Sequence, residues 1–353
     1  MQKVKALVLL SGGLDSMLAA KVLMEQGIEV VGLSFISYFF NAEKAFKATK
    51  QLGIPLIAYS IAPDHLAMVK EPKYGYGKNM NPCIDCHSMM IRKAKEIMEG
   101  EEVVFINPDN SVKAVSQVYD FVATGEVLGQ RPMSQTKVAL QIVAKFSGIG
   151  DKLVRPLSGQ LLDLTEPEKE GKIKKEALLD ISGRSRSRQQ ELAKKFGITE
   201  YPSPAGGCLL TDPAFGIKLK ELFDNWPKCT GQDVELLKHG RIFWLSLNEE
   251  KVLVVIGRDQ KDSEALLKVR KPGDVLLTLV NEVGPTVLLR RFNPQLTINN
   301  YELETEIPAE FKIEELDFDN LRSEEEILQV VAQLTVFYSR KLVGKKVKVK
   351  IEK

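Results

Sequence analysis

Ala6-Leu7-Val8-Leu9-Leu10-Ser11-Gly12-Gly13-Leu14-Asp15-Ser16 is a short apolar run that breaks into a glycine-bearing turn. Flanked by charge and apolar at every position, Ala6 to Leu10 has the pattern of a strand buried on both faces. Beyond the turn, Leu18, Ala19, Val22 and Leu23 share one helical face, and Gly27 can end that helix. Val30 to Phe35 reads as a second strand. Asn41 can cap a helix running to about Leu52, stopped by Gly53, and Leu56 to Ile61 is a third strand. Strand, helix, strand, helix, strand at this spacing implies parallel strands joined by right-handed crossovers. The fold class is therefore α/β, a doubly wound parallel sheet.

Two later runs extend that sheet, Phe121-Val122-Ala123 and Leu153-Val154-Arg155-Pro156, with a helix expected over Ser134 to Phe146 between them. Glu101 to Ser116 has room for an extra strand and turn. Lys172 to Lys195 is basic and reads as helical, interrupted by Gly183-Arg184-Ser185-Arg186-Ser187-Arg188. Composition changes after Trp226-Pro227. Strands are then expected at Ile242 to Leu247, Lys251 to Ile256, Val275 to Val280, Thr286 to Leu289 and Lys345 to Ile351, with a long helix over Glu324 to Tyr338. This gives an α/β domain over 1–168, a basic extension and linker over 169–235, and a C-terminal α+β domain over 236–353.

At 353 residues, 44% hydrophobic and 27% charged, the chain has material for more than one packed core. No run approaches the roughly 18 apolar residues of a membrane span. Met1 to Lys5 leads directly into the first strand without a cleavage pattern, so a cytoplasmic location and no membrane partner are expected. A net charge of only +2 means that any nucleic-acid surface must come from local clustering. Four cysteines in such a chain suggest a metal, a cluster or thiol chemistry rather than a disulfide framework.

The chemistry begins in the turn Ser11 to Ser16. Its glycines let backbone approach a phosphate, and the new helix offers unpaired amides at its positive dipole end. Ser11 and Ser16 add hydroxyls. Asp15 sits poorly beside an anion unless a cation stands between them, which implies Mg²⁺. Ser11-Gly12-Gly13-Leu14-Asp15-Ser16 after a first strand resembles the PP-loop of ATP pyrophosphatases, a family with a HUP-like sheet that cleaves ATP between the α and β phosphates. The resemblance implies that Ser11, Gly12, Gly13, Leu14, Asp15 and Ser16 hold the leaving pyrophosphate, with Ser34 and Phe35 near the adenine.

Within that family, Ala123-Thr124-Gly125-Glu126-Val127-Leu128-Gly129-Gln130 with Ser134-Gln135-Thr136, then Val154-Arg155-Pro156-Leu157, is similar to segments of tRNA 4-thiouridine synthetases. The similarity implies that Thr124, Gly125 and Gln130 line the ATP cleft, and that a uridine carbonyl oxygen is adenylated and then replaced by sulfur. Neither the N-terminal RNA-binding extension nor the rhodanese domain of the bacterial enzyme is recognised. Cys83-Ile84-Asp85-Cys86-His87 follows the third strand, and Cys208 lies in Ser203-Pro204-Ala205-Gly206-Gly207-Cys208. A C-x-x-C pair with one distant cysteine is similar to the iron–sulfur thiolases of this superfamily, which implies a [4Fe–4S] cluster on Cys83, Cys86 and Cys208. Zinc on these three and Cys229, or a cluster-free persulfide route, satisfies the same count. A c-type haem site fits poorly, because it belongs to exported proteins. His87 is read as a packing or hydrogen-bonding neighbour of the cysteines in preference to a ligand, Asp85 between them as either solvent-exposed or a proton handler, and His65 and His239 as structural.

Arg184, Arg186 and Arg188, with Lys172, Lys174 and Lys175, form a basic stretch able to meet RNA phosphates. Val255-Ile256-Gly257-Arg258-Asp259-Gln260-Lys261-Asp262-Ser263, Lys271-Pro272-Gly273-Asp274 and Phe337-Tyr338-Ser339-Arg340-Lys341 resemble the RNA-binding domain of NFACT proteins, which implies RNA contacts from Arg258 and Lys261. The expected partners are tRNA and a sulfur donor, either sulfide or a persulfide carrier. Sulfur insertion into a small molecule and a non-catalytic RNA-binding role are the competing classes.

Overall fold

The computed structural model describes residues 3–203, 207–291 and 300–353. Two compact units divide the chain, Met1–Pro213 and Ala214–Lys353. Residues 169–213 thus pack within the first unit, and 214–235 within the second. No helix among the described residues is long and apolar enough to cross a membrane.

In the first unit the elements follow as β1 (Lys5–Leu9), α1 (Leu14–Met24), β2 (Glu29–Ile36), α2 (Glu43–Leu52), β3 (Leu56–Ser60), α3 (Ala62–Lys70), α4 (Cys83–Met98), β4 (Val103–Ile106), β5 (Val112–Val115), β6 (Phe121–Ala123), α5 (Lys137–Ser147), β7 (Leu153–Val154), α6 (Glu166–Lys169) and α7 (Ser187–Lys195). The sheet runs β5-β4-β3-β2-β1-β6-β7. Its β3-β2-β1-β6-β7 portion is parallel throughout. Alternating side chains feed two cores. Leu7, Leu33, Ile57 and Val122 pack with Ile91, Ala94 and Ile97 of α4 and Val143 of α5. Ala6, Val8 and Val30 pack with Met17, Leu18 and Val22 of α1 and Ala193 of α7. Burial on both faces is why the strands read as continuous apolar runs.

The segment 101–116 is an antiparallel hairpin, β4 and β5, added to the β3 edge. The expected helical character of 172–195 holds only from Ser187 onward. Before that, Leu179 and Ile181 donate their amides to Pro156 and Leu157 carbonyls at 2.9 Å, so the backbone is spent on a neighbouring loop rather than on helical bonds.

The second unit contains α8 (Pro213–Asn225), α9 (Gly231–Leu236), β8 (Arg241–Leu247), β9 (Glu250–Ile256), α10 (Gln260–Val269), β10 (Val275–Leu279), β11 (Val287–Arg291), β12 (Tyr301–Thr305), α11 (Glu324–Phe337) and β13 (Val347–Glu352). Its antiparallel sheet has the order β12-β13-β10-β11-β9-β8. Ile327, Val331 and Leu334 of α11 cover Leu245, Val252, Val254, Val287 and Val349. The sequence pattern does not show β12, an edge strand whose Glu302 and Glu304 stand opposite Lys350 and Lys348 and so hide the apolar alternation. Nor does it show α10, in whose first turn Lys261 lies. Arg290, fully buried, pairs with Asp233 at 3.1 Å and Asp274 at 2.6 Å and ties α9 to the sheet.

Candidate active site

The strand order turns about β1, with β2 on one side and β6 on the other, and the segments after β1 and β6 flank the crevice where open α/β sheets bind ligands. After β1, Gly13 precedes α1 as its cap residue and no side chain caps the helix, so the first amides are left for a ligand. Ser16 donates its hydroxyl to Gly13 O at 2.8 Å, which closes the turn. Gly12 is at φ 76 with its α-carbon against the backbone of Lys44; a Cβ there would stand 2.3 Å from the Lys44 carbonyl carbon. Gly125, after β6, is pressed as closely on the same loop: its Cβ would meet Ser16 N at 2.5 Å. These approaches are closed to any residue with a side chain.

Asp15 receives a hydrogen bond from Gln130 Nε2 at 2.8 Å, and Gln130 in turn accepts one from Gln189 Nε2 at 3.1 Å. Its other oxygen is buried without a hydrogen-bond donor, 3.6 Å from Arg186 Nη2, and Arg186 Nε is likewise buried without a partner. Two opposite charges with orphaned atoms beside a phosphate-type loop fit a bound phosphate and a cation on Asp15. Arg186, expected to contact RNA, therefore faces the phosphate loop; Arg188 pairs with Asp180 at 2.6 Å, while Arg184 is exposed. Arg258, in the second unit, is held bidentately by Asp262 at 2.5 and 3.1 Å. Ser34 is buried in β2, and the Phe35 ring is committed to the core, edge-on to Tyr59 at 6.3 Å. Thr124 donates its hydroxyl to Glu126 at 3.0 Å. Glu126 is buried and bonded by Arg155 Nε at 2.9 Å and His87 Nδ1 at 3.0 Å. Burial would raise its carboxyl pKa, but the charges of Arg155 and His87 outweigh that and hold it at about 2.

Cys83 opens α4, and Cys86 lies one turn in. Cys208 follows Gly207; Pro204, Ala205 and Gly206 of its loop lie outside the described residues. The thiols are near enough to feel one another's charge. Burial, then Cys208, Cys83 and Asp85, pushes Cys86 well above the usual thiol range. Burial and then Cys83 lift Cys208 to about 11, and burial raises Cys83 against the opposing charge of Arg131. Among the described residues no three His, Cys, Asp or Glu side chains are close enough to share one metal ion, so the zinc alternative does not close. The same holds for a three-cysteine cluster site: the thiols are linked only through the charge each exerts on the next. Cys229 belongs to the second unit.

The chain segment 39–44 joins loop to thiols. Lys44 lies against Gly12, and Phe39 O accepts from Leu209 N at 3.0 Å, one residue from Cys208. His65, read from sequence as structural, touches the site directly: its Nε2 is 3.2 Å from Cys86 Sγ and its Nδ1 2.7 Å from Ser37 Oγ. No sequence signal marks a contact between residues 21 positions apart on different helices. Where the sulfur is a thiolate or a ligand it can only accept, so Nε2 carries the hydrogen and Ser37 donates to Nδ1.

Burial lowers the His65 pKa to about 4. An unfolded histidine titrates near ~6.5, so between those values unfolding takes up a proton. Stability is therefore full above pH ~6.5 and is lost as pH falls toward the folded value, by about 3 kcal/mol across the window. In His65→Gln that slope is expected to vanish from urea-unfolding free energies measured between pH 7 and pH 4; an unchanged slope would mean that the imidazole is not buried neutral.

Residues 2–163 match the family model described as "Thiamine biosynthesis protein (ThiI)". A probable tRNA sulfurtransferase of Natranaerobius thermophilus is 27% identical over 163 residues, 44% of this chain and 35% of that protein. A tRNA-specific 2-thiouridylase MnmA of Helicobacter pylori is 37% identical over 95 residues, 24% of this chain and 28% of the relative. The chain thus spans about a third of the length of such relatives. Among solved structures, a 4-thiouridine synthetase–RNA complex with bound ATP aligns at 20% identity and a TM-score of 0.36, covering 66% of this chain and 53% of the other. Residues 2–163, a little under half of the chain, are thus similar to the ThiI family.

Proposed function

We propose that the protein is an ATP-dependent tRNA sulfurtransferase. The observation that carries this is the paired orphan atoms of Asp15 and Arg186 at the loop Ser11–Ser16, with segment 39–44 linking that loop to the stretch that bears Cys208. In this reading the free amides of α1 and Arg186 hold the β and γ phosphates, and Asp15 holds Mg²⁺, with Gln130 fixing its carboxylate. The uridine carbonyl oxygen attacks the α-phosphate, pyrophosphate leaves, and the oxygen departs as AMP when a sulfur nucleophile replaces it. A [4Fe–4S] cluster on Cys83, Cys86 and Cys208 would keep one iron open to carry sulfide.

In the same reading residues 1–168 activate the base, 169–235 add Arg186 and Cys208, and 236–353 grip the tRNA as an NFACT-type RNA-binding domain, with Arg184 and Lys261 as exposed phosphate contacts. A cytoplasmic location follows from the substrate. The test is nucleoside mass analysis of an unmodified tRNA transcript incubated anaerobically with protein, ATP, Mg²⁺ and sulfide. Thiouridine with equimolar AMP is expected, and chromatography separates its 2-thio and 4-thio forms. AMP formation at the same rate without tRNA would count against tRNA as the acceptor of the adenylyl group.

A further inference from the structure

Between α3 and Cys83 runs Glu71-Pro72-Lys73-Tyr74-Gly75-Tyr76-Gly77-Lys78-Asn79-Met80-Asn81-Pro82, which has no part in the chemistry above. It presents aromatic rings to solvent. Tyr74 is 37% exposed, Tyr76 39%, and Phe146 at the end of α5 37%. The Tyr74 and Phe146 rings meet edge to face at 5.3 Å, and Lys73 Nζ stands 4.1 Å from the Phe146 centroid and 5.6 Å from that of Tyr74. Exposed rings gathered in one patch and rimmed by polar groups mark interaction sites more often than rings scattered singly.

The segment is also fixed in place. Tyr74 N donates to Asp85 Oδ2 at 3.0 Å, Tyr76 OH to Val69 O at 2.6 Å, and Gly77 N to Asn81 O at 2.8 Å. Asn79 Nδ2 donates to Thr211 O at 2.7 Å, and Arg92 Nη2 to Phe146 O at 3.0 Å. Asp85 lies between Cys83 and Cys86, and Thr211 shortly follows Cys208. The aromatic segment is therefore tied to both stretches that carry the thiols. Its surroundings are positive: residues 70–82 and α5 carry Lys70, Lys73, Lys78, Lys137 and Lys145 against Glu71 alone.

We propose that Tyr74, Phe146 and Lys73 form a stacking platform for an unpaired nucleobase of the RNA substrate, with Lys73 meeting the adjoining phosphate. Flat π faces beside a cation suit a base with its phosphate, and a ring held by the C-x-x-C segment would seat a splayed nucleotide next to the sulfur chemistry. Asp85 then acts as a positioning residue, holding the Tyr74 backbone rather than handling protons. The proposal rests on the preceding reading that the substrate is RNA.

The experiment uses the full chain with a single-stranded oligouridylate bearing one 2-aminopurine, without ATP or sulfide. Wild-type protein is expected to quench the 2-aminopurine. Tyr74→Ala should raise the dissociation constant roughly 5- to 100-fold and abolish the quench, with Tyr74→Trp restoring both. Lys73→Gln should lower the slope of log affinity against log salt by about one. Binding of a fluorescent ATP analogue, unchanged in all three variants, shows that the fold is intact. Oligonucleotide binding unaffected by Tyr74→Ala would overturn the proposal, as would Tyr74-dependent binding to phosphatidylserine vesicles with none to the oligonucleotide. If wild-type protein stacks the base yet never thiolates tRNA, the sulfurtransferase reading fails and the platform stands.

Discussion

Protein carrying Cys86→Ser is expected to lose thiouridine formation by at least ~100-fold while still releasing pyrophosphate from ATP in the presence of tRNA. The two halves of that result come from different parts of the first unit. In the proposed function activation rests on the loop Ser11–Ser16, Gly125, Gln130 and Arg186, none of which touches Cys86 in the hydrogen-bond network described above. Sulfur delivery depends on soft thiolate donors, and a serine oxygen is a hard and weakly acidic substitute. Serine can keep the hydrogen bond from His65 Nε2, now 3.2 Å from the sulfur, so the 7% exposed site should remain packed. Anaerobic purification with iron and absorbance measurements separates the routes. Iron present in wild type and lost in Cys86→Ser supports the cluster; iron-free wild type that thiolates fully removes it. If the serine variant thiolates at the wild-type rate, the cysteines have no part in the reaction.

Gly12→Ala is expected to lower kcat/KM for ATP by about 100-fold, since an error of roughly 1 Å in a positioning loop costs that much. The added Cβ would sit 2.3 Å from the carbonyl carbon of Lys44 and 2.4 Å from its oxygen, so either the phosphate loop or the start of α2 must move. Gly27→Ala is the matched control. Gly27 has φ 77, almost the same as Gly12 at φ 76, but nothing lies within 4 Å of the point its methyl would occupy. It should cost only the left-handed strain, about 1 kcal/mol by urea denaturation, and leave ATP turnover untouched. Equal losses of activity in the two variants would show that backbone strain, and not the close approach to Lys44, is what the loop cannot tolerate.

Residue order alone is enough to lay out the parallel strands of the first unit's sheet and the glycine turn proposed to hold phosphate. Strands buried on both faces must be apolar at every position, and a turn that grips phosphate needs glycines and hydroxyls in consecutive order. Both are local demands, and Ala6 to Ser16 states them in one stretch. Where a local pattern is weak the reading fails: the polar edge strand Tyr301–Thr305 and the charged helix Gln260–Val269 give no clear period, and the helix expected before Ser187 yields to backbone bonds with Pro156 and Leu157. It takes the folded chain to turn Arg186 toward Asp15, to bring His65 to Cys86, to clamp Glu126 between Arg155 and His87, and to tie the exposed tyrosine segment to both thiol-bearing stretches. Each of these joins residues far apart in the chain through a single hydrogen bond or ion pair. One such bond leaves no repeat for sequence to carry; it exists only once the sheet has brought the loops after its strands to the same edge.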